Sequence, residues 1–302
     1  MARRWSVIAV VVSAACFGTL AVLTPLAYEQ GAEPLPLLAW RFAFSALLLG
    51  GLATLRDRRA LVVSATEVKR YALLALTGYG AASVCFFFAL KFADASVVAV
   101  LLYAYPALVT VSGWLFLGHR ATWQQGVAVA LTFLGCALVV GLGSTTMHAS
   151  WPGVVLGLGA AVGYTLFNLL SHRWMPSGTR LPMMAYTFGI AVILPVVGSV
   201  AVDGLGSLSP AGWTYEVWVL LGLIVLIPTF AAVVLYLEGI SALGPAQAAV
   251  ISTLEPLFTI ALAAVVLGER LAPLQLVGAA CVLAGVVAAE LGERMTGQPA
   301  PS

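Results

Sequence analysis

The sequence predicts an all-α membrane protein of ten transmembrane helices, arranged as two inverted five-helix repeats. Three observations predict it. Of 302 residues, 62% are hydrophobic and only 9% are charged, against about 25% charged in an ordinary soluble domain. That leaves too little polar surface to cover a soluble fold, so lipid must solvate most of the exterior. The mean hydropathy of +1.04 agrees. Second, Lys and Arg fall on alternate loops in a strongly biased way. Third, the chain repeats itself at a fixed shift.

A membrane-spanning helix needs ~20 apolar residues. Apolar runs separated by polar or Gly/Pro breaks place the spans at 6–27, 36–55, 71–91, 95–117, 122–142, 152–171, 182–202, 214–236, 245–267 and 271–290. The first follows Arg3 and Arg4. Its run from Val7 to Leu26 is longer than the ~7–15 residues of a secretory signal core and leads into further apolar segments, so it reads as a span. The closest joints lie around Asp94 and Pro245. No stretch is long enough for a separate soluble domain, and residues 295–302 read as a disordered tail.

With the N-terminus in the cytoplasm, the inner loops carry Arg3, Arg4, Arg56, Arg58, Arg59, Lys69, Arg70, Arg120, Arg173, Arg180 and Arg294. The outer loops carry only Lys91 and Arg270, and Arg41 lies within the second span. Such a bias orients a membrane protein and requires an even number of spans. Both termini are then expected in the cytoplasm.

Residues 89–140 align without gaps on 239–290, a shift of 150. Val100 falls on Val250, Pro106 on Pro256, Leu117 on Leu267, Gly118 on Gly268, Arg120 on Arg270, Gln125 on Gln275, Val127 on Val277 and Gly135 on Gly285. Matching prolines and polar residues in one register distinguish a repeat from chance similarity of apolar spans. The halves divide as 1–145 and 146–294. With five spans each, the second half enters the membrane from the opposite side. Inverted repeats are common in transporters, with substrate held near the midplane between the halves.

At this point the chain resembles the drug/metabolite transporter superfamily, and within it the EamA-type ten-span transporters. The residues that carry the resemblance are Leu38-Ala39-Trp40-Arg41-Phe42 and Leu254-Glu255-Pro256-Leu257 followed by Leu267-Gly268-Glu269-Arg270. A degenerate first copy follows the same plan, Tyr105-Pro106-Ala107 and then Leu117-Gly118-His119-Arg120. His119 departs from the pattern, standing where the second copy has Glu269. The resemblance implies an exporter or importer of small metabolites in a plasma membrane, often handling amino acids or related solutes, and the expected reading is an exporter working by alternating access between the inverted halves. It also implies that the fifth and tenth helices lie beside the central bundle.

Glu255 is the sharpest single residue. A charge at mid-bilayer costs at least ~2.5–3.5 kcal/mol, so the group must face a cavity, take up a proton or find a partner. It is the candidate for proton coupling or for accepting a substrate ammonium group. On one continuous helix, Gln247, Ser252, Glu255 and Thr259 would share an arc lining a pathway. Arg41 could snorkel outward, pair with Glu29 or Glu33, or bind a substrate carboxylate. Further pathway candidates are Phe17 (on a face with Ser13 and Thr24), Tyr79 and Ser83, Tyr103, and Tyr164 with Asn168. Pro106, Pro228 and Pro256 are candidate hinges, since each removes a helical hydrogen bond. Gly153/Gly157 and Gly159/Gly163 read as close packing within the chain.

Other chemistry lacks its motifs. There is no phosphate-binding GxxxxGK[ST] loop, no HExxH and no GxSxG. Cys16, Cys85, Cys136 and Cys281 sit in apolar runs without metal-ligand spacing. His119, His148 and His172 fall at predicted loops, and no basic face suits nucleic acid. No cofactor or metal is expected. The expected partners are a small-molecule substrate and the bilayer, with the chain a monomer or weak homodimer. The alternatives to a transporter are an intramembrane enzyme, which needs several convergent reactive groups, and a non-transporting receptor or assembly component.

Overall fold

A computed structural model of the chain describes residues 2–116, 122–140, 150–174 and 180–296. Among them the fold is all-helical. Eight helices are long and apolar enough to cross a membrane: α1 (Ala2–Glu29), α2 (Pro34–Arg56), α3 (Ala65–Ala89), α4 (Ala95–Phe116), α5 (Trp123–Val140), α6 (Trp151–Trp174), α7 (Arg180–Asp203) and α8 (Tyr215–Leu243). Two segments are not among these eight: α9, in pieces Pro245–Ser252 and Glu255–Leu267, and α10 (Pro273–Thr296), whose apolar part is Pro273–Ala288. Met295 and Thr296, expected in a disordered tail, complete the last turn of α10. His119, His148 and residues 297–302 lie outside the described residues.

The ends follow local chemistry. α2 opens on prolines, whose missing N–H groups cost nothing in a first turn. α3 opens on a capping box: Ser64 Oγ accepts from Glu67 N at 3.2 Å, and Glu67 Oε2 accepts from Ser64 N at 2.7 Å. α8 stops at Gly244, which takes a left-handed φ of +80°.

Neither α4 nor α9 runs unbroken as the sequence predicted. α4 breaks at Tyr103-Ala104 and α9 at Thr253-Leu254, the same point of the repeat. The backbone geometry is repeated as well. Ala104 N donates to Leu101 O and Leu254 N to Ile251 O, each at 3.1 Å. Pro106 and Pro256 cause both breaks: each lacks an N–H, and its ring crowds the carbonyl four residues back. Pro228 acts differently. It sits in a widened π-helical turn, Leu226–Ala231, which relieves the crowding without a break.

The helices pack with a two-fold pattern. α3 lies along α6 as α8 lies along α1, and α4 meets α6 as α9 meets α1. α2 packs on its counterpart α7, and α5 on its counterpart α10. The α5–α10 pair leans on α4 and the first piece of α9 and stands apart from the rest. The correspondence reaches single residues. Gln125 Oε1 accepts from Thr122 N at 3.2 Å, as Gln275 Oε1 accepts from Ala272 N at 2.9 Å. A Cβ on Gly135 would lie 2.5 Å from Gly278 O, and one on Gly285 would lie 2.7 Å from Ala128 O.

The glycines of α6 pack within the chain. Gly153 and Gly157 abut Phe92, Ala93 and Leu101, and Gly159 and Gly163 abut Cys85 and Ala82. A Cβ on Gly163 would stand 2.9 Å from Ala82 N and 3.0 Å from its Cα. Backbone cannot retreat as a side chain can. Gly163→Leu is therefore expected to cost ~3 kcal/mol or more by forcing α3 and α6 apart. Unfolding in detergent measures it, and a change under ~1 kcal/mol contradicts this packing.

Candidate functional site

Two polar clusters lie inside the bundle. The first is built by the matched breaks of α4 and α9. Pro256 frees the carbonyl of Ser252, four residues earlier. Tyr103, at the break of α4, places its hydroxyl 2.9 Å from that carbonyl and 2.9 Å from Glu255 Oε2. A hydroxyl of the first half is thus shared between two acceptors of the second. Tyr103 itself is buried, while Glu255 and Ser252 are partly exposed. Glu255 therefore turns into the bundle, toward α4.

Aromatic rings continue from this point. Tyr105 stands edge-on to Tyr103 (5.9 Å between centroids) and to Tyr164 of α6 (4.8 Å). Tyr164 lies within electrostatic reach of Glu255, Tyr79 and Tyr236. Phe167 links Tyr164 (5.9 Å) to Tyr79 (5.5 Å). Phe17 of α1 is partly exposed and stands edge-on to Tyr236 of α8 at 6.4 Å.

The second cluster surrounds Arg41. Its Nε donates to Thr229 Oγ1 at 3.1 Å and its Nη2 to the Tyr79 hydroxyl at 3.3 Å. The guanidinium carbon lies 5.3 Å and 5.6 Å from the centroids of Phe87 and Phe42. Arg41 is 2% exposed, so it does not snorkel. Nor does it pair with Glu33, which binds Lys91 Nζ at 2.7 Å; the other ion pair among the described residues joins Arg56 to Glu238. Tyr79 and Thr229 are themselves related by the 150-residue shift. They lie in π-helical turns at Leu74–Tyr79 and Leu226–Ala231. One cation thus binds the same point of both repeats.

Ser13, Thr24 and Thr259 go to packing. Ser13 donates to Ala232 O at 2.7 Å, and Thr24 to Leu20 O at 2.7 Å. Thr259 donates to Gly18 O at 3.3 Å and is buried against α1, so it does not line the arc drawn for Gln247, Ser252, Glu255 and Thr259. The break at Thr253-Leu254 interrupts the register that arc assumed. Asn168 donates to Tyr164 O at 2.8 Å and Ser83 is buried on α3. Sequence reasoning passed over Tyr105, Thr229 and Tyr236 as site residues. The signal for two of them was available: the same shift, carried upstream, lays Tyr105 on Glu255 and Tyr79 on Thr229.

The profile of the EamA-like transporter family matches residues 4–141 and again 151–289, once for each half. No curated protein matches the chain significantly. One protein of known crystal structure is similar over 97% of this chain and 99% of its own, with a TM-score of 0.66 and 16% identity. At that identity the likeness concerns the fold alone. Two profile matches that together span nearly the whole chain fix its membership: the chain belongs to the EamA-like transporter family, a group of membrane transporters.

Proposed function

We propose that the protein carries small metabolites, amino acids or related solutes among them, across the plasma membrane by alternating access, with export as the expected direction. In this reading all ten helices span the bilayer. The units 1–145 and 146–294 are inverted, and both termini are cytoplasmic. The solute occupies the space bounded by Phe17, Tyr79, Tyr103, Tyr164, Ser252 and Glu255, to which we add Tyr105. Ser83 and Asn168 border it from α3 and α6. Pro106, Pro228 and Pro256 are the points about which the helices flex. The chain works as a monomer or weak homodimer.

A single observation carries the coupling role of Glu255. The Tyr103 hydroxyl has one proton and two acceptors at 2.9 Å, Ser252 O and Glu255 Oε2. With Glu255 ionised, the carboxylate is the stronger acceptor and draws that proton from the Ser252 carbonyl. With Glu255 protonated, its own O–H donates to the tyrosine oxygen, and Tyr103 donates fully to Ser252 O. Protonation therefore changes how α4 is bonded to the break in α9. A solute donor group competes for the same carboxylate, which is the exchange that coupled transport requires.

Purified protein in proteoliposomes, offered a mixture of small metabolites with and without a pH gradient, tests the reading. Saturable uptake of at least one solute, accelerated by the gradient, is expected. Flux of every solute equal to that of protein-free liposomes contradicts it.

A further inference from the structure

The Leu267-Gly268-Glu269-Arg270 turn joins the two halves at one end of the bundle. Gly268 takes a left-handed φ of +69°, and Glu269 N then donates back to Ala263 O at 3.2 Å. This reversal directs the Glu269 carboxylate at the first turn of α4, in the other repeat. Its Oε1 accepts from Ala95 N at 2.7 Å, and its Oε2 accepts from Ser96 N at 3.0 Å and Ser96 Oγ at 2.6 Å. The residue in the N-cap position, Asp94, makes no side-chain cap bond to its own helix. A side chain from the far half of the protein thus does the capping, and its negative charge suits the positive end of the helix dipole.

The arrangement is one-sided in the sequence. The 150-residue shift lays Glu269 on His119, which offers no carboxylate to the matching helix start at Pro245. Helix α4 begins, and α9 ends, at this one end of the bundle. Separating the repeats there must break all three bonds, since hydrogen bonds of 2.6–3.0 Å do not survive displacements much beyond ~0.5–1 Å.

We propose that Glu269 is a latch that holds this face of the transporter closed, and that its release is the step that opens the face to solute. In the sequence the matching turn carries His119 in place of a carboxylate, so the protein at rest favours the state closed on the Glu269 side. The inference rests on the alternating-access reading, but its test needs no substrate.

The four native cysteines are replaced by alanine, and Ser252→Cys is introduced beside Glu255 as a reporter. Vesicles of each orientation are then treated with a membrane-impermeant maleimide. Adding Glu269→Ala is expected to speed labelling roughly tenfold from the Glu269 side alone, the size of effect that loss of an ordinary helix cap produces. Ser96→Ala, which removes one of the three bonds and spares the fold, is expected to give about a threefold rise on the same side. Unchanged labelling from both sides, with only a lowered melting temperature, makes Glu269 a structural cap and overturns the proposal. So does an equal rise from both sides, which signifies general loosening. A flux assay that finds no substrate leaves this one-sided labelling readable by itself.

Discussion

Glu255→Gln is expected to remove the dependence of transport on a pH gradient and to lower solute flux by about ten- to a hundredfold. Glutamine fills the same volume and keeps an acceptor within reach of Tyr103, so the fold survives. It cannot take up or release a proton. The Tyr103 hydroxyl then serves Ser252 O and an amide oxygen in fixed proportion, and the two bonding states of the matched breaks are no longer interchanged by protonation. The magnitude follows from hydrogen bonds to charged groups, worth ~1.5–3 kcal/mol against ~1 for neutral ones. The measurement is initial uptake in proteoliposomes at several imposed pH gradients. Flux and gradient dependence that both match the native protein would sink the coupling role. Tyr103→Phe is the companion test: the ring remains, the shared hydroxyl goes, and gradient dependence should weaken while the protein stays folded.

How much of this was legible beforehand depends on the residue. The repeat register was plain in the sequence, and it anticipates the most specific geometry in the fold. Pro106 and Pro256 break their helices at one repeat position, Gln125 and Gln275 cap alike, and Gly135 and Gly285 make matching contacts in the α5–α10 pair. Glu255 was legible because a carboxylate at mid-span must have a reason to be there. The arc through Thr259 failed because helical periodicity holds only while the helix is continuous, and Pro256, next to Glu255, interrupts the helix before it. Thr259 then meets Gly18 of α1. Arg41 was left open between three placements for another reason. A long flexible side chain near a span's start can reach outward or inward, and local sequence does not decide between them. What decides is whether distant acceptors await it, and Thr229 lies 188 positions away.

Arg41 supplies the second large effect, and the two ways of removing it should differ. Arg41→Ala leaves a void where a fully buried long side chain stood. Large-to-alanine changes in packed cores cost ~2–5 kcal/mol. The lost bonds to Tyr79 and Thr229 add ~1 kcal/mol each, and the contacts with Phe42 and Phe87 add ~1 more. Against this stands relief from holding a cation in the interior with none of the described ion pairs to balance it. The net expectation is a loss of ~2–4 kcal/mol in unfolding free energy. Arg41→Met fills most of the volume and removes the charge, so the lost bonds and the relieved desolvation largely offset. Its stability should lie within ~1 kcal/mol of the native protein. Its flux should stay within about threefold, because a residue that ties equivalent points of the two repeats together is replaceable by one that packs there. Unfolding by denaturant in detergent gives the first quantity and proteoliposome uptake the second. A methionine variant with native stability but more than tenfold lower flux reverses the assignment: the guanidinium then acts on the solute itself, and a substrate carboxylate becomes its missing counter-charge.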